Sequence, residues 1–286
     1  MAPNNASTVL MVAGCNAEAG VAPGYSWALA PTTRGLAQTI VGAMHMITSH
    51  TSHTSAHGVV AGDDTGRTSS GPPARVKYAV EAIGTFFLVF TVGAAVGSGS
   101  PLAPLAIGAV LMVMVYAGGH LSGGHYNPAV TVAVLVRRRI GLRDAGGYWL
   151  AQFGGGLLAA AVVRIVVHPA QAAKTTTLTP TGVGVLAVFV VELLFTFALC
   201  YVVLNVATSK HHPDNSFYGL AIGFTVVAGA FAVGSISGGA FNPAVAVGAA
   251  VMGMFAWPTL WLYLAGQVVA GAAAGAAFLA LNPDDR

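Results

Sequence analysis

Ser122-Gly123-Gly124-His125-Tyr126-Asn127-Pro128-Ala129-Val130 returns 115 residues later as Ser237-Gly238-Gly239-Ala240-Phe241-Asn242-Pro243-Ala244-Val245. Tyr148 and Gln152 return at the same offset as Tyr263 and Gln267. Upstream, Glu81-x-x-x-Thr85 returns as Glu192-x-x-x-Thr196 at an offset of 111, so the second copy carries a four-residue insertion. The chain is therefore an internal repeat, and the repeat decides the fold.

Around these motifs lie apolar runs at about 78–98, 103–121, 145–167, 184–207, 217–234 and 258–281. Each approaches the roughly 20 residues that span a bilayer. Two shorter apolar pieces, 127–136 and 242–251, follow the repeated motif. As helices of ten residues they reach roughly 15 Å, about half the hydrocarbon thickness. Each copy thus holds three crossings and one half-length segment. Three is odd, so the copies lie in opposite orientations, an arrangement in which sites form at the midplane from broken helices. The expected fold is an all-α membrane protein with six transmembrane helices and two re-entrant half-helices. Repeat 1 covers about 78–167 and repeat 2 about 184–281 of a channel domain at 76–281.

Composition excludes most other classes. Only 7% of the 286 residues are charged and 55% are hydrophobic, against roughly 25% charged in a soluble domain. The formal charge of +3 is too small and scattered to predict nucleic-acid binding. The two cysteines, Cys15 and Cys200, define no disulfide framework or metal site. Residues 1–75 read as a disordered His/Ser/Thr-rich extension, and 282–286 as a short tail. His45, His50, His53 and His57 in the extension lack the partners of a metal centre. Val12-Ala13-Gly14-Cys15 has the form of a lipoprotein cleavage box, but no basic residue and only a short apolar run precede it. Neither feature outweighs the plain reading as a tail.

The basic residues set the orientation. Arg75 and Lys77 precede the first helix, Arg137, Arg138, Arg139 and Arg143 lie between the second and third, and Lys210 lies between the fourth and fifth. Six crossings place all of these, with Arg286, on one side and leave mainly Lys174 for the other. The positive-inside rule then puts both termini in the cytoplasm of a multi-pass cell-membrane protein.

Each Asn-Pro is a helix start: Asn is a strong N-cap, and Pro suits the first helical position. The preceding Ser-Gly-Gly allows an irregular chain with exposed carbonyls, tolerated at membrane depth only where it lines a polar cavity. Inverted copies bring the two starts face to face. Each start carries about half a positive charge, so the meeting point opposes cations. With each Asn carbonyl capping its own helix, the NH₂ group is free to donate to a solute. The carbonyls of Gly123, Gly124 and His125, and of Gly238, Gly239 and Ala240, provide acceptors. Neutral hydrogen-bonding solutes can pass such a ladder; ions lose hydration that it cannot replace. Glu81 and Glu192 are the carboxylates inside the helices. A proton relay and support of the re-entrant loops both fit a buried carboxylate, and the symmetry matches support. Gly93/Gly97 and Gly271/Gly275 have the spacing of close helix packing.

The paired Asn127-Pro128-Ala129 and Asn242-Pro243-Ala244 in an inverted repeat resemble the aquaporin (major intrinsic protein) family over about 78–281. The resemblance implies a homotetramer in a lipid bilayer, one pore per subunit, with water and small neutral solutes as the partners. It also implies that Glu81 and Glu192 hold the loops. The family's constriction falls on Ile107, Ala230, Gly239 and Val245. Most members have arginine at the last position, and water-selective members have histidine at the second. Both are missing here, which predicts a wider, less polar filter that passes water with ammonia, urea, hydrogen peroxide or undissociated metalloid acids. A narrower expectation is that the apolar ring dewets and passes water poorly. Ala246 stands where glycerol facilitators usually carry Asp, which disfavours a dedicated glycerol pathway. No catalytic residue, metal or cofactor is expected. The alternatives are a secondary active transporter, which needs ion-coupling residues at the midplane, and a purely structural junction protein.

Overall fold

The computed structural model describes residues 71–167 and 177–285. The extension up to residue 70, with its histidines and Cys15, and Lys174 and Arg286 lie outside the described residues. The helices are α1 (Ala74–Gly97), α2 (Ala103–Ser122), α3 (Pro128–Val136), α4 (Leu142–Val162), α5 (Val183–Ala207), α6 (Tyr218–Ser237), α7 (Pro243–Val251) and α8 (Leu260–Leu281). Among the described residues, six of these helices are long and apolar enough to cross a membrane. The other two, α3 and α7, have nine residues each. Helix α1 begins two residues before the boundary drawn at 76. Where the sequence predicts one helix to 167, Val163–Val167 is instead a π-helical turn. Its Arg164 donates to the carbonyl of Val251 at the end of α7, 2.9 Å away.

Packing follows the repeat. Helix α1 lies against α4 as α5 lies against α8, and α1 against α2 as α5 against α6. Each half-helix packs on the last helix of the other copy: α3 on α8, and α7 on α4. The copies also meet where α2 crosses α6, at the repeat-related Gly108 and Gly223. A Cβ on either glycine would stand 2.5 Å from the other's carbonyl oxygen, so only hydrogen fits at this crossing. Gly271 and Gly275 lie against the backbone of α3 at Ala129 and Ala133, which accounts for their spacing as core packing. Large apolar side chains such as Leu150, Val183, Phe231 and Trp261 point outward, as a lipid-facing surface requires.

Candidate functional site: two loops meeting inside the bundle

The connection from α2 to α3 and that from α6 to α7 have one conformation. Gly123 and Gly124 take φ of +90° and +61°, and Gly238 and Gly239 take +85° and +65°. Tyr126 and Phe241 also have positive φ, 47° and 49°. For bulky residues this costs on the order of 1–3 kcal/mol each and persists only where the surroundings enforce it. The surroundings here are two buried carboxylates. Glu81 accepts from Ser122 Oγ (2.7 Å), His125 N (2.9 Å), Tyr126 N (2.7 Å) and Gln152 Nε2 (2.9 Å). Glu192 accepts from Ser237 Oγ (2.7 Å), Ala240 N (3.0 Å), Phe241 N (2.8 Å) and Gln267 Nε2 (2.8 Å). Four donors occupy each carboxylate. The tyrosine hydroxyls of Tyr148 and Tyr263 then donate to the carbonyls of Ser122 and Ser237.

The helix starts are capped as their chemistry demands. Asn127 Oδ1 accepts from Ala129 N, and Asn242 Oδ1 from Ala244 N and Val245 N. The sequence alone leaves both NH₂ groups wholly free; the structure commits one hydrogen of each. Asn127 Nδ2 donates to the carbonyl of Phe241 and Asn242 Nδ2 to that of Tyr126, both at 2.9 Å. Each asparagine therefore ties its own helix start to the opposite loop, and one N–H per residue remains. No sequence signal announces this exchange, because it joins residues 114 and 116 positions apart.

Three cavities follow one another through this meeting point. A middle one of about 20 Å³ is lined by Asn127, Asn242, His125, Ala240, Gly124 and apolar side chains, room for about one water. It shares Ile107, Gly239 and Val245 with a larger cavity of about 320 Å³, which Ala230 and Gly238 also line. Ile107, Ala230, Gly239 and Val245, the positions expected to form the constriction, thus come together on one cavity. On the opposite side the middle cavity shares His125 and Val203 with a third, of about 340 Å³, lined also by Lys77, Arg139, Asp144 and Gly123. The first copy supplies polar side chains where the second supplies alanine: His125 Nδ1 lies 3.0 Å from Thr131 Oγ1, and Ala240 and Ala246 occupy the repeat-related positions. Among the described residues, no hydrogen bond reaches the carbonyls of Gly123, Gly124, His125, Gly238, Gly239 or Ala240.

Sequence reading treats Arg137 as one more loop charge, yet it is fully buried at the end of α3. Its guanidinium donates to Asp285 Oδ1 (2.8 Å) and O (2.7 Å) and to Thr208 Oγ1 (3.1 Å) and O (3.2 Å), and lies 4.0 Å from the Phe278 ring centroid. Burial works to raise the Asp285 carboxyl. The Lys210 N–H and the Arg137 guanidinium outweigh it and hold the group well below the usual carboxylate range. The nearest sequence hint is position: an arginine directly following an apolar half-helix.

A profile of the major intrinsic protein family matches residues 74–278. The chain belongs to the major intrinsic protein family. It is 42% identical over 195 residues to glycerol uptake facilitator protein-like 6 of Lactiplantibacillus plantarum, covering 66% of this chain and 89% of that one. It is 40% identical over 207 residues to aquaporin NIP2-1 of Oryza sativa subsp. japonica, covering 69% of this chain and 68% of the relative. Nodulin-26 of Glycine max is 37% identical over 209 residues, covering 70% and 75%. An X-ray structure of the aquaglyceroporin from Plasmodium falciparum superposes with a TM-score of 0.63 at 20% identity, covering 72% of this chain and 96% of that one; that likeness speaks for the fold. As a member of this channel family the protein is a multi-pass membrane channel, passive, for water and small solutes.

Proposed function

We propose that the path through the three cavities conducts water together with small uncharged solutes such as ammonia, urea, hydrogen peroxide and undissociated metalloid acids. The observation that carries this reading is the filter: Ile107, Ala230, Gly239 and Val245 share one cavity and none brings a charge or a hydrogen-bonding side chain. An arginine there would add a fixed cation and a rigid fork of donors; valine leaves the passage to size. The N-termini of α3 and α7 hold partial positive charge toward the middle cavity, which repels cations. The free N–H of Asn127 and of Asn242 and the unbonded loop carbonyls offer a neutral solute donors and acceptors in sequence. Glu81 and Glu192 serve as loop supports: with four donors on each carboxylate, no position is left for a travelling proton.

The end bearing Lys77, Arg137, Arg139 and Lys210 faces the cytoplasm of the cell membrane by the positive-inside rule. The protein assembles as a homotetramer with one path per subunit, and the path performs no catalysis. The test is a stopped-flow panel on proteoliposomes of the full chain with water, ammonia, urea and hydrogen peroxide. All four are expected to exceed the protein-free rate. Permeation of water alone would defeat the broad-pore reading.

A further inference from the structure

The third cavity, at the end bearing Lys77, Arg139 and Lys210, is walled by two connections that a single carboxylate ties together. Arg139, between α3 and α4, and Thr208, between α5 and α6, both line it. The carboxylate is Asp285, in the segment that follows α8, and it lines none of the three cavities itself. Its Oδ1 accepts from Arg137 Nη2 (2.8 Å) and Arg139 Nη2 (3.1 Å), and its Oδ2 from Lys210 N (2.8 Å). Arg137 passes the tie on to Thr208, at Oγ1 and O, and Lys210 Nζ donates to the carbonyl of Asp284.

The two arginines on this carboxylate are placed with unequal firmness. Arg137 is buried and keeps three further hydrogen bonds, to Thr208 and to the Asp285 carbonyl. The Arg139 side chain is 47% exposed, against 1% for Asp285, and among the described residues that carboxylate is its guanidinium's only hydrogen-bonding partner. A guanidinium has five donors and a flexible stem. Once released, it takes its partners from the cavity it already borders, where the Asp144 carboxylate and the unbonded carbonyl of Gly123 lie. Resting on the path described above, we propose that Asp285 keeps the mouth of that path open: it is a positioning residue that holds Arg139 on the wall of the third cavity and out of the solute's way.

Asp285→Asn tests this, because it leaves an acceptor oxygen for the buried Arg137 but removes the charge that holds Arg139. In proteoliposomes of the full chain, scaled to the monodisperse protein recovered, it is expected to lower protein-dependent permeability to water and to urea by about threefold or more. A merely structural loss would not respond to Arg139, whereas this one should. Asp285→Asn combined with Arg139→Gln is expected to return to within about twofold of Arg139→Gln alone. Arg137→Met with Asp285→Asn also frees Arg139 and leaves no buried charge unpaired, so it stands in where the single variant does not fold; the same fall, and the same reversal by Arg139→Gln, are expected. Permeability unchanged when Asp285 is replaced, or a fall that Arg139→Gln does not reverse, overturns the positioning role and leaves the channel reading standing. If the unaltered protein passes neither water nor urea, the path falls and this inference with it.

Discussion

The two repeats share a scaffold and differ in what they show to the path. Glu81, Ser122, Tyr148 and Gln152 do in the first copy what Glu192, Ser237, Tyr263 and Gln267 do in the second, with matched donors and distances. Yet His125 and Thr131 correspond to Ala240 and Ala246 in the second copy, and buried Arg137 stands where that copy has Met252. The residues that fix the loop's shape are repeated because both copies need that shape. Residues such as His125 and Ala240, which line the middle cavity, or Arg137, which seals the outer end of a half-helix, sit in different surroundings and diverge. The lesson is that the repeated loop supports and the residues that differ between the copies can be addressed by separate substitutions.

The largest effect is expected from the shared part. Glu81→Leu and Glu192→Leu each leave four donors without an acceptor in a buried site. At about 1–3 kcal/mol per unsatisfied group this costs on the order of 4–12 kcal/mol, comparable with a whole fold's stability. Both variants should fail to give a monodisperse channel in detergent, by size-exclusion profile and thermal unfolding. Equal severity supports the symmetry; a folded, conducting variant of either would break it.

Next comes the part that belongs to one copy. Arg137→Met gives the first repeat the residue of the second and strips Asp285 of its buried partner. Removing one member of such a pair costs about 3 kcal/mol, visible as a lowered unfolding midpoint. The double variant Arg137→Met with Asp285→Asn should recover part of the loss, and a cycle with no coupling would remove the lock from the account.

A smaller difference separates the two glutamines. Gln152 Nε2 reaches both Glu81 and Thr131 (2.9 and 3.0 Å), whereas Gln267 Nε2 has Glu192 as its partner and alanine at the position repeat-related to Thr131. Gln152→Leu should therefore destabilise more than Gln267→Leu, by about 1 kcal/mol, one hydrogen bond. The smallest effect concerns pH. Because folding depresses the Asp285 pKa, its contribution is complete above the unfolded value of about 3.9 and fades only as pH falls through the lower folded value. Lowering pH from 7 to 5 should leave the stability contributed by this pair unchanged, read as the difference in unfolding midpoint between wild type and Asp285→Asn.

What could be read without coordinates follows the same division. The crossings and the half-helices are legible because each is written locally, in apolar length or in a motif stated twice; the four positions on the larger cavity are what the resemblance to the family implies. Asn127 and Asn242 are recognisable as caps, since capping is a matter of adjacent residues. Their bonds to the opposite loops are not, because a hydrogen bond between Asn127 and Phe241 leaves no trace in the local pattern of either. The same holds for Arg137, whose partner Asp285 lies 148 residues away, and for Leu178, brought to the cavity by a single bridge to the segment around Phe255. The π-helical turn at Val163–Val167 is hidden because its apolar sequence reads as continued helix; the reach of Arg164 to the end of α7 is a tertiary fact.

The most direct trial of the account is urea flux through Val245→Arg beside the unaltered protein, in proteoliposomes at equal protein density. A cation with fixed donors in a passage whose side chains are now apolar should cut protein-dependent urea permeability by an order of magnitude or more while water still passes. Urea flux that is absent from the unaltered protein, or unchanged by the arginine, would contradict a neutral-solute filter at this position.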